Sequence, residues 1–163
     1  MNWLGQIVQA NITPNDAILD LGCGIQQAFP EGLICKSMLG VDIWDIYLNN
    51  IKNRINTVRI SMNETDRFMD KSFDVVICLD VVEHLDHELA LKIIDECKRI
   101  ARRKAIIYTP AEFKDNKEAI INSWELGENP HQEHKCLLSK PDFHLRGYHV
   151  DKPSGDDLLA IWQ

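Results

Sequence analysis

Two groups of residues in this sequence have types and spacing suited to chemistry, and the first is a glycine turn flanked by acids. Residues 18–24 read ILDLGCG, and Asp42 follows in the segment LGVDIW. Gly22 and Gly24 lack Cβ atoms where the chain turns tightly and a ligand can approach. The carboxylate of Asp42 can accept hydrogen bonds from both hydroxyl groups of a ribose. The pattern predicts a nucleoside site at the carboxyl ends of two strands.

This turn departs from the dinucleotide-binding pattern GxGxxG, whose third glycine packs a helix against the strand. Gln27 stands where that third glycine would be. Asp20 lies inside the turn, where a carboxylate repels phosphate and attracts a cation. The turn therefore favours a positively charged nucleoside, and S-adenosylmethionine fits this description. A nicotinamide-dependent dehydrogenase is the disfavoured alternative, because the third glycine is absent.

The second group is the segment DVVEHLDH, which follows the fourth apolar run. It carries four polar residues spaced i, i+3, i+4 and i+7: Asp80, Glu83, His84 and His87. A helix that began at once would place all four on one face. Carboxylate and imidazole groups on one face suit a divalent cation, and His131 or His134 could complete such a site. A metal-free helix start that shapes a pocket is the other interpretation.

The polar loop NPHQEHKCLLSKPDF follows the fifth apolar run and offers candidates for handling an acceptor. Gln132, His134 and Lys135 could orient an acceptor hydroxyl group. Such a hydroxyl must lose its proton, and a histidine with a pKa near ~6.5 suits that task. His134 is the first candidate base, with Asp80 or His84 in reserve. A solvated loop without a chemical role is the alternative.

The apolar pattern supplies the elements that must position these residues. Short runs bounded by Gly, Asp or Pro predict buried strands: Ala17–Leu21, Met38–Ile43, Thr57–Ser61, Phe73–Leu79 and Lys104–Thr109. Helices are predicted at Trp44–Asn53, His87–Arg102 and around Glu112–Ser123, and late strands at Gly147–Asp151 and Asp157–Trp162. Strands separated by helices favour right-handed βαβ units in a mostly parallel sheet.

Composition limits the class of protein. The 163 residues fit one domain, and the net charge of −7 opposes extended contact with a nucleic-acid backbone. The basic stretch KRIARRK is interpreted as a solvated helix end. Five scattered cysteines without a CxxC pair predict a reducing, cytoplasmic setting and no cysteine-based zinc site. No signal peptide and no apolar run long enough to span a membrane are recognised.

Taken in order, the segments ILDLGCG, GVDIW, SFDVVICLDVVEHL and KAIIYTP resemble the successive motifs of class I S-adenosylmethionine-dependent methyltransferases, most nearly the small type-11 group. The resemblance covers roughly residues 15–112 well. It implies an α/β fold with a Rossmann-like, doubly wound sheet of seven mostly parallel strands, the last antiparallel. We expect a single domain over 1–163, with a cofactor half at about 1–110 and an acceptor-side half at about 111–163.

The resemblance also implies a set of residues that bind S-adenosylmethionine, with S-adenosylhomocysteine as the product: Asp20, Gly22, Cys23, Gly24, Asp42, Ile43, Asn63, Leu79 and Asp80. Asp20 and Gly22 would contact the methionine amino group, and Ile43 would pack on the adenine. The family usually places an acid after the third strand to contact the adenine edge. This chain has SMNETD there, so we take Asn63, with Asp66 as its rival.

The DVVEH segment further resembles metal-assisted 2′-O-methyltransferases that act on small-RNA 3′ ends, and some quinone-biosynthesis O-methyltransferases. That resemblance implies Mg²⁺ or Mn²⁺ ligands at Asp80, Glu83, His84 and His134. The chain departs from it by having Asp at the first position and no RNA-binding region. A metal site is therefore the minority hypothesis.

The favoured function is O-methylation of a small-molecule or glycan hydroxyl, because the N-P-x-Q-x-H-K stretch resembles small methyltransferases of glycan modification. The alternatives are metal-assisted RNA 2′-O-methylation and a scaffold that keeps the fold without catalysis. Only Asn2–Asn11 precedes the first strand as a helix candidate. The acceptor pocket is therefore expected to be open, to take a large acceptor, or to be completed by a partner subunit or a second copy.

Overall fold

The computed structural model describes residues 1–121, 123–153 and 155–163 of the chain. These residues form seven strands: β1 (Ala17–Leu21), β2 (Ser37–Asp42), β3 (Asn56–Arg59), β4 (Phe73–Leu79), β5 (Ala101–Pro110), β6 (His149–Asp151) and β7 (Asp157–Trp162). The same residues form five α-helices: α1 (Trp3–Asn11), α2 (Asp45–Ile51), α3 (His87–Ile100), α4 (Lys117–Ile121) and α5 (Lys140–His144). None of these helices combines the length and the apolar character needed to cross a bilayer.

The strands form one sheet in the order β3-β2-β1-β4-β5-β7-β6. Neighbouring strands from β1 to β5 pair in parallel, whereas β7 is antiparallel to both β5 and β6. The predicted fold class is therefore confirmed, including the antiparallel last strand. The strand order reverses between β1 and β4, which makes the carboxyl ends of these two strands the expected place for a ligand.

Helices cover both faces of the sheet, which explains why its central strands are mostly apolar. Alternate residues of β1 point to opposite faces, so Leu19 and Ile18 belong to different core clusters. On one face, α3 packs its predicted apolar side, including Ile93 and Cys97. On the other face, α1 buries Val8, and the Asn2 side chain caps that helix by accepting a 3.0 Å hydrogen bond from the Gly5 N–H.

Several predicted helices are shorter in the structure. The first is reduced to α2, and the second ends at Ile100 because β5 begins at Ala101 rather than at Lys104. Ala101 pairs with Phe73 of β4, so pairing with the sheet takes over residues that the sequence assigned to the helix. Within the predicted helix around Glu112–Ser123, only α4 forms, and residue 122 of that prediction lies outside the described residues.

The chain does not become α-helical directly after β4, so the condition that would place all four polar residues on one helical face is not met. Val82–His84 form a 3-10 turn, and the chain is extended at Leu85 and Asp86 before α3 begins at His87. His87 is exposed on α3 and does not share a helical face with Asp80. The carbonyl oxygen of Glu83 accepts hydrogen bonds from the N–H groups of residues 135 and 136, at 2.8 and 3.2 Å. That oxygen is thus taken by a distant segment instead of by the next helical turn.

The basic stretch KRIARRK crosses from the end of α3 into β5, and its cations have partners within the chain. Arg99 forms ion pairs with Glu96 and Asp70, at 2.7 and 2.6 Å. Arg102 pairs with Asp74 at 3.1 Å, and Arg103 pairs with Asp16. Two lysines donate to oxygen atoms on other elements: Lys98 to the Arg146 carbonyl and Lys104 to the Asn11 side chain. The stretch is therefore not simply the solvated helix end that the sequence indicated, because residues 101–104 lie in β5 and the cations are paired within the chain.

Candidate functional site

A cavity of about 320 Å³ lies at the carboxyl ends of β1, β2 and β4, where the strand order reverses. The structure brings the whole cofactor set expected from the sequence to its walls: Asp20, Gly22, Cys23, Gly24, Asp42, Ile43, Asn63, Leu79 and Asp80. His84 also lines the cavity, whereas His134, the first candidate base, is not among its lining residues. The volume is within the range typical of small-molecule sites.

The glycine turn is held against β2 by backbone hydrogen bonds. The N–H groups of Gly22 and Cys23 both donate to the Val41 carbonyl oxygen, at 2.8 and 2.9 Å. Gly22 and Gly24 have φ values of +71° and +49°, in the left-handed region that L side chains rarely adopt. The turn therefore needs glycine at both positions for its backbone conformation.

Protein side chains occupy the space that these glycines leave open. A Cβ atom on Gly22 would lie 2.3 Å from Cγ2 of Val81. A Cβ atom on Gly24 would lie 3.1 Å from two carbon atoms of the Trp124 indole ring. The sequence argument treated this space as room for a ligand, but in the structure the turn is a packed corner that neighbouring side chains also define.

Asp42 connects the turn to the start of α2. Its Oδ2 accepts a 3.0 Å hydrogen bond from the Gly24 N–H, and its Oδ1 accepts one of 2.8 Å from the Trp44 N–H. Each carboxylate oxygen has a second lone pair, so both can still accept from a ligand hydroxyl group. Burial raises the pKa of Asp42, and the backbone hydrogen bonds partly oppose that shift.

Asp20 is buried below the turn and faces Asp42. Gln26 Nε2 donates to its Oδ2 at 3.0 Å. Burial raises the pKa of Asp20 to about 7, the charge of Asp42 adds to that shift, and the Gln26 hydrogen bond opposes it. Two buried acids that disfavour each other's charge are suited to a cationic ligand. This arrangement fits a sulfonium nucleoside with an ammonium group.

The end of the cavity near β3 contains Asn63, the residue chosen from the sequence as the adenine contact. Asn63 lies in a 3-10 turn, Met62–Arg67, that follows β3, and it lines the cavity. Its rival Asp66 is exposed and is not among the lining residues. The Glu64 side chain accepts from the Ser61 N–H in a capping box, so it holds the turn in place. The geometry therefore favours Asn63 over Asp66 as the residue that faces a ligand.

Asp80 ends β4 in a left-handed conformation, with φ of +52°. Its N–H donates to the Tyr108 carbonyl oxygen at 2.9 Å, which ties the turn to β5. Burial raises the pKa of Asp80 to about 6, with a further contribution from the charge of Asp157 and an opposing one from Lys114. A carboxyl group with such a pKa in a cleft is a candidate for proton transfer near neutral pH.

The ring of His84 is oriented by the backbone of the polar loop that contains Glu133. Its Nδ1 lies 3.2 Å from the Glu133 carbonyl oxygen. Because a carbonyl oxygen only accepts, Nδ1 carries the proton of the neutral ring and Nε2 keeps a free lone pair. Burial lowers the pKa of His84 to about 4, so the ring is neutral near pH 7.

Three side chains, including that of His84, form a cluster whose residue types are those of metal ligands. Ligand atoms of Glu83, His84 and His134 all lie within 4.8 Å of one another. Glu83 is buried; its Oε2 accepts a 3.0 Å hydrogen bond from Thr109, and burial raises its pKa to about 8. Among the described residues, Asp80 is not a member of this cluster. The structure therefore brings together three of the four residues that the resemblance implied as ligands.

Sequence reasoning missed two residues of the site. Gln26 is buried with φ of +56° and hydrogen bonds to Asp20, and Trp124 lies on the glycine turn. The signal for Gln26 was its position just after GCG, inside the turn. No sequence pattern marks Trp124, because its contact spans a long stretch of chain.

The doubly wound sheet, the glycine turn and the two buried acids at its switch point define the class I S-adenosylmethionine-dependent methyltransferases. Residues 19–109 match the family described as "Methyltransferase domain", the type-11 group, and the chain belongs to this family. It is a methyltransferase domain of the S-adenosylmethionine-dependent class, as the resemblance predicted.

Two curated relatives are similar over part of their length. An uncharacterized protein of Methanocaldococcus jannaschii is 29% identical over 137 residues, which are 82% of this chain and 55% of that protein. A ubiquinone biosynthesis O-methyltransferase of Rickettsia bellii is 30% identical over 91 residues, which are 50% of this chain and 37% of that protein. The chain thus spans about half or less of the length of these relatives.

Solved structures of methyltransferases superpose over nearly the whole chain. An S-adenosylmethionine-dependent methyltransferase of Archaeoglobus fulgidus gives a TM-score of 0.65 at 18% identity, covering 96% of this chain and 93% of that one. A Haloferax volcanii methyltransferase in complex with the Trm112 methyltransferase activator gives 0.67 at 14%, covering 96% and 86%. The magnesium protoporphyrin IX methyltransferase of Synechocystis, with bound S-adenosylhomocysteine, gives 0.62 at 15%, covering 97% and 78%. At these identities the likeness shows the fold.

Proposed function

We propose that this domain catalyses methyl transfer from S-adenosylmethionine to a hydroxyl oxygen of a small molecule or glycan. The observation that carries the proposal is one cavity whose walls include both the cofactor set and two groups able to accept a proton, Asp80 and His84. When bound, S-adenosylmethionine supplies an electrophilic methyl group on a sulfonium. The protein's own task is to bind, to orient and to remove a proton.

The cofactor end of the cavity is assigned to Asp20 and Asp42. Asp42 keeps free lone pairs on both oxygens, so it can accept from the two ribose hydroxyl groups. Asp20 supplies a negative charge in a buried place, which a cationic group stabilises. Asn63 and Ile43 line the remaining wall and are proposed to contact the base.

Asp80 is the proposed catalytic base. The sequence favoured His134, but His134 does not line the cavity, while Asp80 does. The Asp80 pKa of about 6 leaves the carboxylate ionised at neutral pH and still basic enough to take a hydroxyl proton during transfer. In this role the Asp80 carboxylate would accept the O–H proton of the acceptor, while bound S-adenosylmethionine would supply the methyl group and leave as S-adenosylhomocysteine.

The acceptor side of the cavity combines apolar and polar walls. Leu4, Leu85 and Leu89 provide apolar surface, while Gln132 and Lys135 provide polar groups. An acceptor with a ring or chain of mixed polarity matches this lining. One relative is a ubiquinone biosynthesis O-methyltransferase, and this likeness also supports oxygen as the acceptor atom.

Calorimetric titration with S-adenosylmethionine tests the proposal, using Asp42→Asn and the matched control Asp45→Asn. Asp45 is exposed on the same segment and pairs with Arg59, outside the cavity. We expect about a 10- to 100-fold weaker affinity for Asp42→Asn, since charged hydrogen bonds to a ligand are lost, and an unchanged affinity for the control. Absence of binding by the wild-type protein would overturn the proposed function.

A metal-assisted reaction is a second candidate, and it includes 2′-O-methylation of RNA. The observation that favours it is the cluster of Glu83, His84 and His134. His84 donates one ring N–H to a backbone carbonyl, as metal-bound histidines commonly do. Two imidazoles and one carboxylate favour Mn²⁺ or Zn²⁺ over Mg²⁺, which prefers oxygen ligands.

Titration of the protein with Mn²⁺ separates the two candidates. Glu83→Gln keeps an acceptor for Thr109 but removes the negative ligand, and His144→Gln on α5 is an exposed control. The second candidate predicts Mn²⁺ binding in the wild type and in His144→Gln, with loss in Glu83→Gln. Equal binding by all three proteins, or none, would remove it.

A partner that completes the acceptor side is also proposed. Phe113 and Ile121 are exposed on the segment that follows β5, where a partner or a second copy would meet the cavity. One structural neighbour is itself in complex with an activator protein. Light scattering of the purified protein, with and without cofactor, tests whether a second copy supplies this cover.

A further inference from the structure

Trp124 occupies a position that the functions described so far do not use. It lies in the 3-10 turn Ser123–Glu125, after α4, and its side chain lines the cofactor end of the cavity. Two carbon atoms of its ring, Cη2 and Cζ3, come within 3.1 Å of the place of a Cβ on Gly24. The indole therefore rests directly on the glycine turn.

The backbone around Trp124 is arranged to aim this ring inward. Trp124 and Glu125 both have left-handed conformations, with φ of 51° and 60°. Such conformations are costly for residues with a Cβ atom, at roughly 1–2 kcal/mol each. In this conformation the indole lines the cavity. The contacts that the ring makes must offset this cost.

Tyr47 of α2 is the main protein partner of the indole. The two ring centroids lie 5.0 Å apart with an interplanar angle of 53°, and Tyr47 is buried. Trp124 itself remains 38% exposed, so much of its surface is still available. The same loop makes a second aromatic contact at the start of α2. The ring centroids of His131 and Trp44, the residue before α2, lie 5.7 Å apart.

From this geometry we propose that Trp124 forms the wall of the cofactor pocket beside the glycine turn, and that its indole packs against bound S-adenosylmethionine. The inference rests on the proposed function, because it needs a nucleoside in this cavity. An aromatic ring offers a large, rigid surface to a nucleoside, and its face attracts a cation. The buried acids then supply charge and the indole supplies an aromatic contact surface.

The alternative is that Trp124 only fastens the loop to α2. Asn116 provides the control for that alternative, because it holds the same loop without lining the cavity. Its Nδ2 donates to the Gln132 carbonyl at 2.5 Å, and its Oδ1 accepts from the His134 N–H at 2.8 Å. Asn116→Ala therefore loosens the loop without removing the indole that contacts the glycine turn.

The test measures affinity for S-adenosylmethionine and S-adenosylhomocysteine by calorimetry, together with the change in tryptophan fluorescence on binding. We expect Trp124→Ala to weaken both ligands about tenfold, while Asn116→Ala stays near wild type. We also expect Trp124→Phe to lose most of the fluorescence change, and Trp162→Phe, on β7 and outside the cavity lining, to keep it.

Each outcome decides the assignment. Unchanged affinity in Trp124→Ala, or an equal loss in Asn116→Ala, would overturn it in favour of a fastening role. A fluorescence change that survives in Trp124→Phe would also overturn it. Failure of the wild-type protein to bind either ligand would instead reject the proposed function, so the two failures are distinguishable.

Discussion

Asp20 is the residue where stability and binding oppose each other. Its pKa rises from 3.8 to about 7, mainly because the carboxyl group is buried. The folded state therefore holds a proton that the unfolded state releases above pH 4, so this residue favours folding most at low pH. Its contribution falls as the pH rises from about 4 to about 7. A bound cation reverses the preference by stabilising the carboxylate.

Asp20→Asn should therefore raise stability and lower cofactor affinity. The Asn side chain still accepts the hydrogen bond from Gln26, but it carries no charge to bury. We expect the free energy of unfolding at pH 8 to increase by about 1–3 kcal/mol, and the increase to disappear near pH 4. Urea unfolding at the two pH values measures this difference.

The same variant should bind S-adenosylmethionine at least about tenfold more weakly. Wild-type affinity should decline as the pH falls below about 7, because the cation must then displace a proton. Affinity of Asp20→Asn should lack this pH dependence. A wild-type affinity that is constant between pH 6 and 8 would contradict the role given to Asp20.

Among the elements, the strands followed from the sequence and the turn after β4 did not. The runs at β1 and β4 are predominantly apolar, each with one Asp, and burial on both faces favours that pattern. The turn Val82–His84 depends instead on the Glu83 carbonyl oxygen. It accepts hydrogen bonds from backbone N–H groups of a loop more than fifty residues later in the sequence. Helical spacing in DVVEHLDH describes only local geometry. It could not register this distant partner, and the same limit hid the contact between Trp124 and Gly24.

The turn after β1 gives a test of how far packing sets its sequence. Gly22→Ala places a Cβ 2.3 Å from Val81 and also requires a left-handed alanine, whereas Gly32→Ala, at φ +83°, meets nothing within 4 Å. We expect Gly32→Ala to cost about 1 kcal/mol from the backbone alone and Gly22→Ala about 3 kcal/mol or more. Denaturant unfolding measures both.

Equal costs for the two variants would mean that Val81 moves aside without penalty. The glycine would then be required for its backbone conformation and for ligand approach alone. The difference between the two free energies of unfolding is thus the contribution of the Val81 contact. This contribution belongs to the scale of secondary-structure elements, because the Val81 contact joins the turn after β1 to the turn after β4.

At the scale of the whole molecule, the strand ends of the sheet form one side of the cavity, and the loop of residues 124–135 lines another part of it. The mostly parallel sheet was predicted from the alternation of strands and helices, whereas the doubly wound arrangement with an antiparallel last strand was implied by the family resemblance. The path of the loop was not predicted, because it depends on pairwise contacts such as Asn116 with Gln132 and His131 with Trp44. The nine residues that the resemblance implied as cofactor contacts all line one cavity, whereas the path of the loop beside them required the structure.

Hydrogen exchange with and without S-adenosylhomocysteine should therefore show two protected regions. The first is the pair of turns after β1 and β2, where Gly24 and Trp44 already donate to Asp42. The second is the loop around residues 124–135, which meets the cavity through Trp124 and His131. Ligand at about 100 times its Kd stabilises the folded state by roughly 2.7 kcal/mol, so slower exchange in both regions is measurable. Residues 140–151, on α5 and β6, lie outside the cavity lining and serve as the internal reference. Protection confined to the two turns would mean that the loop does not close on the ligand, whereas protection of both regions would make the loop part of the cofactor site.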